Sequence, residues 1–241
     1  MTPNTESFAI TRWTLVQRSC GDDTEARAAL SELCEAYYKP VVTFLQREGR
    51  SEDAARELAH AFFERLLSGG PLDGAMREKG RFRSYLLGAL KHFLSDQRVH
   101  AQAQKRGGDV IHQALEMSDR ETANGFPQIA DAKMESPDAA YDRQWALTLL
   151  ARALDELSCD MMAEGKQQHF ETLKPWLTGD DEVRQGEAAV TLGISTDAVK
   201  VAVHRLRKRF RESVKSQINH TVEDPAQVRE EMDHLQRVLR G

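Results

Sequence analysis

The chain has 241 residues, 33 of them basic and 38 acidic, for a formal net charge of −5. No apolar run is long enough to span a bilayer, and the N-terminal MTPNTESFAI lacks the basic-then-apolar form of a signal peptide, so the sequence reads as a cytoplasmic protein. Cys20, Cys34 and Cys159 are odd in number and form no Cys-x-x-Cys pair, which argues against a disulfide frame or a zinc site. There is no glycine-rich phosphate loop, nucleophile elbow or paired-carboxylate frame, so no catalytic residue, metal or cofactor is expected and the chain does not read as an enzyme.

Helical periodicity runs through the chain and alternating strand patterns are nearly absent, so an all-α fold is expected. The apolar spacing predicts helices over about 25–48, 51–68, 80–105, 141–158, 164–177, 184–192, 196–218 and 225–240. Between Gly107 and Ala140, seven acids, two bases, two prolines and three glycines interrupt any apolar stripe. That segment reads as an acidic flexible linker, 107–140, between a helical domain 1–106 and a second domain 141–218, with a helical extension 219–241.

In chain order, Phe8, Ile10, Trp13 and Val16 need a packing partner, expected to be the first domain. In SEDAARELAHAFFERLL, the predicted helix carries Glu57, His60 and Glu64 on one face. A metal cluster there is possible in principle, but a solvated polar face is the simpler reading. From Arg77 to Gly108 eight basic residues stand against two acidic ones. Within that stretch Phe82, Leu86, Ala89 and Phe93 make an apolar stripe, with Tyr85, Leu90 and Leu94 beside it. Arg81, Arg83, Lys91, Arg98, Lys105 and Arg106 surround the stripe. Cations mixed with aromatics suit single-stranded DNA, although the spacing of Phe82 and Phe93 also fits a core.

The stretch GEAAVTLGISTDAVKVAVHRLRKRF reads as a short helix, a glycine turn and a basic helix. Ser195 is placed to cap the second helix, and Gly193 can take the positive φ that ends the first. Val199, Val203, Leu206 and Phe210 line one face, while six basic residues and no acid lie between Ala198 and Arg211. This is a helix-turn-helix layout. Thr196, Asp197, Lys200, Val201 and His204 are the candidate base readers, and Arg205, Arg207, Lys208, Arg209 and Arg211 the candidate phosphate holders. A solvated surface helix is the bland alternative. The two basic stretches each carry a local +6, leaving −17 for the rest of the chain, so charge is segregated into patches that can attract phosphate despite the acidic total. The tail from Thr221 carries Val228, Met232, Leu235 and Leu239 at helical period and is expected to fold back on the second domain or to receive a regulator.

The order of SEDAARELAHAFFERLL, GRFRSYLLGALKHFLSDQR and the terminal helix-turn-helix resembles the sigma-70 family of RNA polymerase sigma factors, in particular its extracytoplasmic-function group. The likeness covers about Ala29 to Val214. It implies a promoter-specificity subunit that binds the bacterial RNA polymerase core, reads minus-thirty-five and minus-ten promoter DNA and promotes strand opening. Glu57, Leu58, His60, Phe62, Phe63 and Leu66 fall on the family's polymerase-binding helix, and the helix from Arg81 to Arg106, with Tyr85 where the family usually has Trp, falls on its minus-ten reader. The loop from Ser68 to Lys79 corresponds to the one that captures a flipped base. Departures include Glu57 and His60, where the family usually shows Asp and Gln. An anti-sigma or other regulatory protein is a further partner that the resemblance allows. A stand-alone helix-turn-helix regulator and a non-DNA-binding adaptor are the alternatives.

Overall fold

The computed structural model describes residues 24–68, 81–107, 135–178, 185–222 and 224–240. Among them are nine helices and no strand: α1 (Thr24–Arg47), α2 (Glu52–Leu67), α3 (Phe82–Gly107), α4 (Pro137–Ala163), α5 (Gln167–Leu173), α6 (Pro175–Thr178), α7 (Gln185–Leu192), α8 (Thr196–Asn219) and α9 (Pro225–Arg240). The fold of these residues is all-α, as the periodicity implies. The N-terminal apolar segment, the 68–79 loop beyond Ser68 and most of the acidic linker lie outside the described residues.

Local chemistry sets the helix ends. Ser51 accepts a 3.3 Å hydrogen bond from the Ala54 N–H and so caps α2, while Ser136 accepts one of 3.2 Å from the Ala139 N–H with Pro137 at the first helical position. Each such cap contributes about 1 kcal/mol. The Ser136–Pro137 start puts four residues assigned to the linker, Pro137–Ala140, inside α4. At its other end α4 runs to Ala163, where Gly165 takes φ +71° and turns the chain. The single helix expected over 164–177 is divided at Lys174, because Pro175 has no N–H to continue the ladder.

The helices close two apolar cores. The first is built by α1, α2 and α3, and includes Tyr141, Trp145 and Leu149 of α4, Val214 and Ile218 of α8, and Leu235 of α9. The second joins Leu157 and Met161 of α4 to α5, α6, α7 and the first half of α8, with Phe170, Trp176 and Val199 among its members. Phe210 packs against both. Packing therefore does not divide the chain at residue 141. At 27 residues α4 is about 40 Å long, too long for one small core, and its two halves serve different ones. Helix α9 packs on the first core and not, as expected, on the second domain's own: Leu235 is buried there and Val228, Met232 and Val238 pack against it. It lies on α4 and α8, and the turn leading into it reaches the start of α3, where Phe82 donates its N–H to the Thr221 carbonyl at 2.9 Å and Arg81 makes an isolated antiparallel bridge with Val222.

Candidate nucleic-acid interface

Helix α7 approaches the second core through Ala188 and Ala189, whose small side chains allow close packing. Gly193 then takes φ +63°, its N–H meeting the Val190 carbonyl, and the Ile194 N–H meets that of Ala189 at 3.0 Å. A side chain at Gly193 would find open space but a strained backbone, at a cost of about 1–2 kcal/mol. Ser195 accepts a 3.2 Å hydrogen bond from the Ala198 N–H and starts α8. Val199, Val203 and Leu206 anchor this helix inward.

The opposite face of α8 is open. Thr196, Asp197, Lys200, His204, Arg205, Lys208 and Arg211 are exposed, and Val201 is 50 % exposed. Lys200, His204, Lys208 and Arg211 follow at i, i+4, i+8 and i+11 and so form one stripe. Lys200 Nζ lies 3.0 Å from Asp197 Oδ1, an exposed pair worth little against competing phosphate. Among the described residues Arg205, Lys208 and Arg211 make no ion pair.

Two of the expected phosphate holders are instead engaged by the protein. Arg207 Nη2 donates to the Trp176 carbonyl at 3.2 Å. Arg209 donates to both carboxylate oxygens of Glu164, at 2.7 and 3.1 Å, and with Lys166 it lowers the Glu164 carboxyl to about pH 2. Both arginines leave the stripe because they tie α8 to the ends of α6 and α4.

The first basic patch differs from expectation more sharply. Arg83 is buried and donates to Glu231 through Nε and Nη2, each at 3.2 Å, and to Asp142 Oδ1 at 2.6 Å. Burial disfavours its charge, but the hydrogen bonds and negative charge of Glu231, with Asp142, outweigh that and raise its pKa. Arg81 pairs with Glu230 and Glu231. Tyr85 is a core residue, 3 % exposed. Lys91 pairs with Asp138 at 2.7 Å and Arg98 with Glu48 at 3.0 Å, both at the surface. The side chains of Lys105 and Arg106 lie outside the described residues. The mixed cation–aromatic surface is thus absent among the described side chains: the aromatics are core and the cations are paired.

On α2, Glu57 and His60 are exposed, Leu58 is half-buried, and Phe62, Phe63 and Leu66 are core residues. Phe62 packs against Phe93 of α3 with ring centres 5.6 Å apart. His60 bonds the Tyr38 hydroxyl through Nε2 at 3.0 Å and stacks on its ring. It lies in an open groove of about 1540 Å³ between α1, α2 and α4, flanked by the exposed Leu67 and Leu147. Among the described residues no three His, Cys, Asp or Glu side chains are grouped to hold a metal ion. No described helix is long and apolar enough to cross a membrane.

Sequence reasoning missed Glu231 and Asp142, although a signal for the first was present. Glu231 stands three residues after Val228 and four before Leu235, on the apolar face of α9. No family model, curated protein or solved structure matches the chain.

Proposed function

We propose that this protein is a promoter-specificity subunit of bacterial RNA polymerase, acting in the cytoplasm and supplying DNA recognition rather than catalysis. The observation that carries the reading is the exposed cationic stripe of α8, Lys200, His204, Lys208 and Arg211, presented just after a capped glycine turn. Such a helix suits the major groove, with its first turn toward base edges and its later cations toward phosphates. The order of the acidic α2, the basic α3 and the terminal helix pair supports the polymerase-bound version. His60 in the α1–α2–α4 groove and the exposed Glu57 one turn before it are the candidate contacts with polymerase, whereas Phe62, Phe63 and Leu66 hold the fold.

The test is gel filtration of the full chain with bacterial core RNA polymerase, repeated with Glu57→Lys and His60→Glu. Stoichiometric binding lost in these folded variants supports the reading. No complex at low salt sinks it. Aspartate at Phe62 or Leu66 is unsuitable, since either would open the first core.

One observation favours a second reading. With Arg81 and Arg83 engaged by α9, α8 carries the open cationic stripe among the described residues, which suits a stand-alone regulator that binds only duplex DNA. That reading predicts a footprint on a palindromic site without polymerase.

A further inference from the structure

Glu231 is a carboxylate with 1 % exposure, a placement that is costly unless every lone pair is matched. Here Arg83 donates two hydrogen bonds and Arg81 Nη1 a third at 3.2 Å, while the neighbouring Glu230 takes the other arm of Arg81. Planar guanidinium forks bind carboxylate and phosphate oxygens in the same way. Two successive carboxylates of α9 therefore occupy two arginines in the way a phosphate backbone would.

The apolar hold of α9 is modest. Leu235 is buried, Val228, Met232 and Val238 are only partly covered, and Leu239 is 44 % exposed. A helix with one buried apolar side chain, a few half-covered ones and a charge cluster is the kind of element that opens before the rest of a fold.

We propose that α9 is an intramolecular competitor for nucleic acid: Glu230 and Glu231 stand in for the phosphates of a single DNA strand on Arg81 and Arg83, and α9 must leave before that strand binds. This rests on the proposed function, because it takes the start of α3 to be a DNA-contacting element. It also gives the C-terminal extension a role: it keeps that element closed until the strand displaces it.

The full chain is tested with a short fluorescein-labelled single-stranded oligonucleotide, without polymerase. Glu230→Gln, an exposed position whose change spares the core, tightens binding by a few-fold, and Glu230→Gln with Glu231→Gln tightens it by about tenfold, since a competing charge is removed from each arginine. Arg81→Ala in the same background cancels the gain. Hydrogen exchange on the wild-type chain shows the α9 amides losing protection on addition of the oligonucleotide while those of α8 keep theirs. Equal affinity of wild type and Glu230→Gln, or binding with α9 still protected, overturns the proposal. Duplex binding through Lys208 and Arg211, measured alongside, separates the two failures: if it persists while single-strand affinity is unmoved, the latch fails and the DNA-binding reading stands.

Discussion

Trp145 donates its indole N–H to the Tyr37 hydroxyl at 3.0 Å, joining residues 108 positions apart inside the first core. Burial raises the Tyr37 pKa, so its hydroxyl stays protonated and available to this network. The bond carries α4, which also serves the second core, into the first. Trp145→Phe keeps most of the ring but leaves that hydroxyl short of a partner, a loss of about 1–3 kcal/mol. Because α4 and α8 belong to both cores, the expected result is a lower urea midpoint with circular dichroism and the fluorescence of the two remaining tryptophans, Trp13 and Trp176, moving together. Two separated transitions would show that the cores unfold independently.

The Arg83–Glu231 pair makes a second prediction on stability. Removing Glu231 leaves Arg83 with Asp142 alone in a nearly dry site; breaking a buried pair outright costs about 3–5 kcal/mol, and Asp142 offsets part of that. Glu231→Ala is therefore expected to lower the denaturant midpoint far more than Glu230→Ala, whose carboxylate is 64 % exposed. Arg83→Met combined with Glu231→Leu recovers much of the loss, with Asp142 left partly solvated. A Glu231→Ala protein as stable as wild type would mean that the carboxylate is not held as described.

Much of this was present in the sequence as period and much was not. Each of the eight expected segments holds a described helix, because their apolar stripes are regular and Ser195 marks one start; α4 begins four residues inside the expected linker at the Ser136 cap, and Pro175 splits the segment 164–177 in two. Arg83 and Glu231 were also legible: Arg83 shares its face with Leu86, Leu90 and Leu94, and Glu231 sits between Val228 and Leu235. A charge on an apolar face signals a buried partner, but the partner lies 148 residues away and no local pattern names it. Arg207 and Arg209 could not be told from Arg205 and Lys208 by composition, since what removes them from the open face is a carbonyl and a carboxylate brought up by α6 and α4. Phe62, Phe63 and Leu66 fit both a motif and a core period, and the core claims them.

The α8 stripe predicts a difference in kind among its cations. Lys208→Ala and Arg211→Ala should each weaken duplex binding and reduce the slope of log affinity against log salt by about 1, as expected for one lost phosphate contact. Arg209→Ala should instead lower thermal stability by releasing Glu164, with a smaller effect on the salt slope. Anisotropy titrations at several salt concentrations read both quantities. Equal salt slopes for all three variants would remove the distinction between the open and the engaged cations.

His234 makes α9 sensitive to acid. Its ring lies tilted against Trp145, centres 5.7 Å apart, with Nε2 3.1 Å from Asp142 Oδ2 but without hydrogen-bond geometry. The charged groups around it are Arg83 from α3, Asp142 from α4, and Glu231 and Arg237 of α9 itself. Burial, and then the positive charge of Arg83, lowers its pKa below the ordinary 6.5, and these outweigh the two carboxylates. The folded chain thus binds the proton more weakly than the unfolded one, so stability rises with pH across this window and is lost as pH falls below about 6.5. His234→Gln removes that titration. The drop in urea midpoint between pH 7.5 and 5.5, a range of about one unit either side of a free imidazole, should be smaller in the variant than in wild type, and hydrogen exchange should place the difference in α9. If both proteins lose stability equally over that range, His234 is not the group that couples α9 to pH.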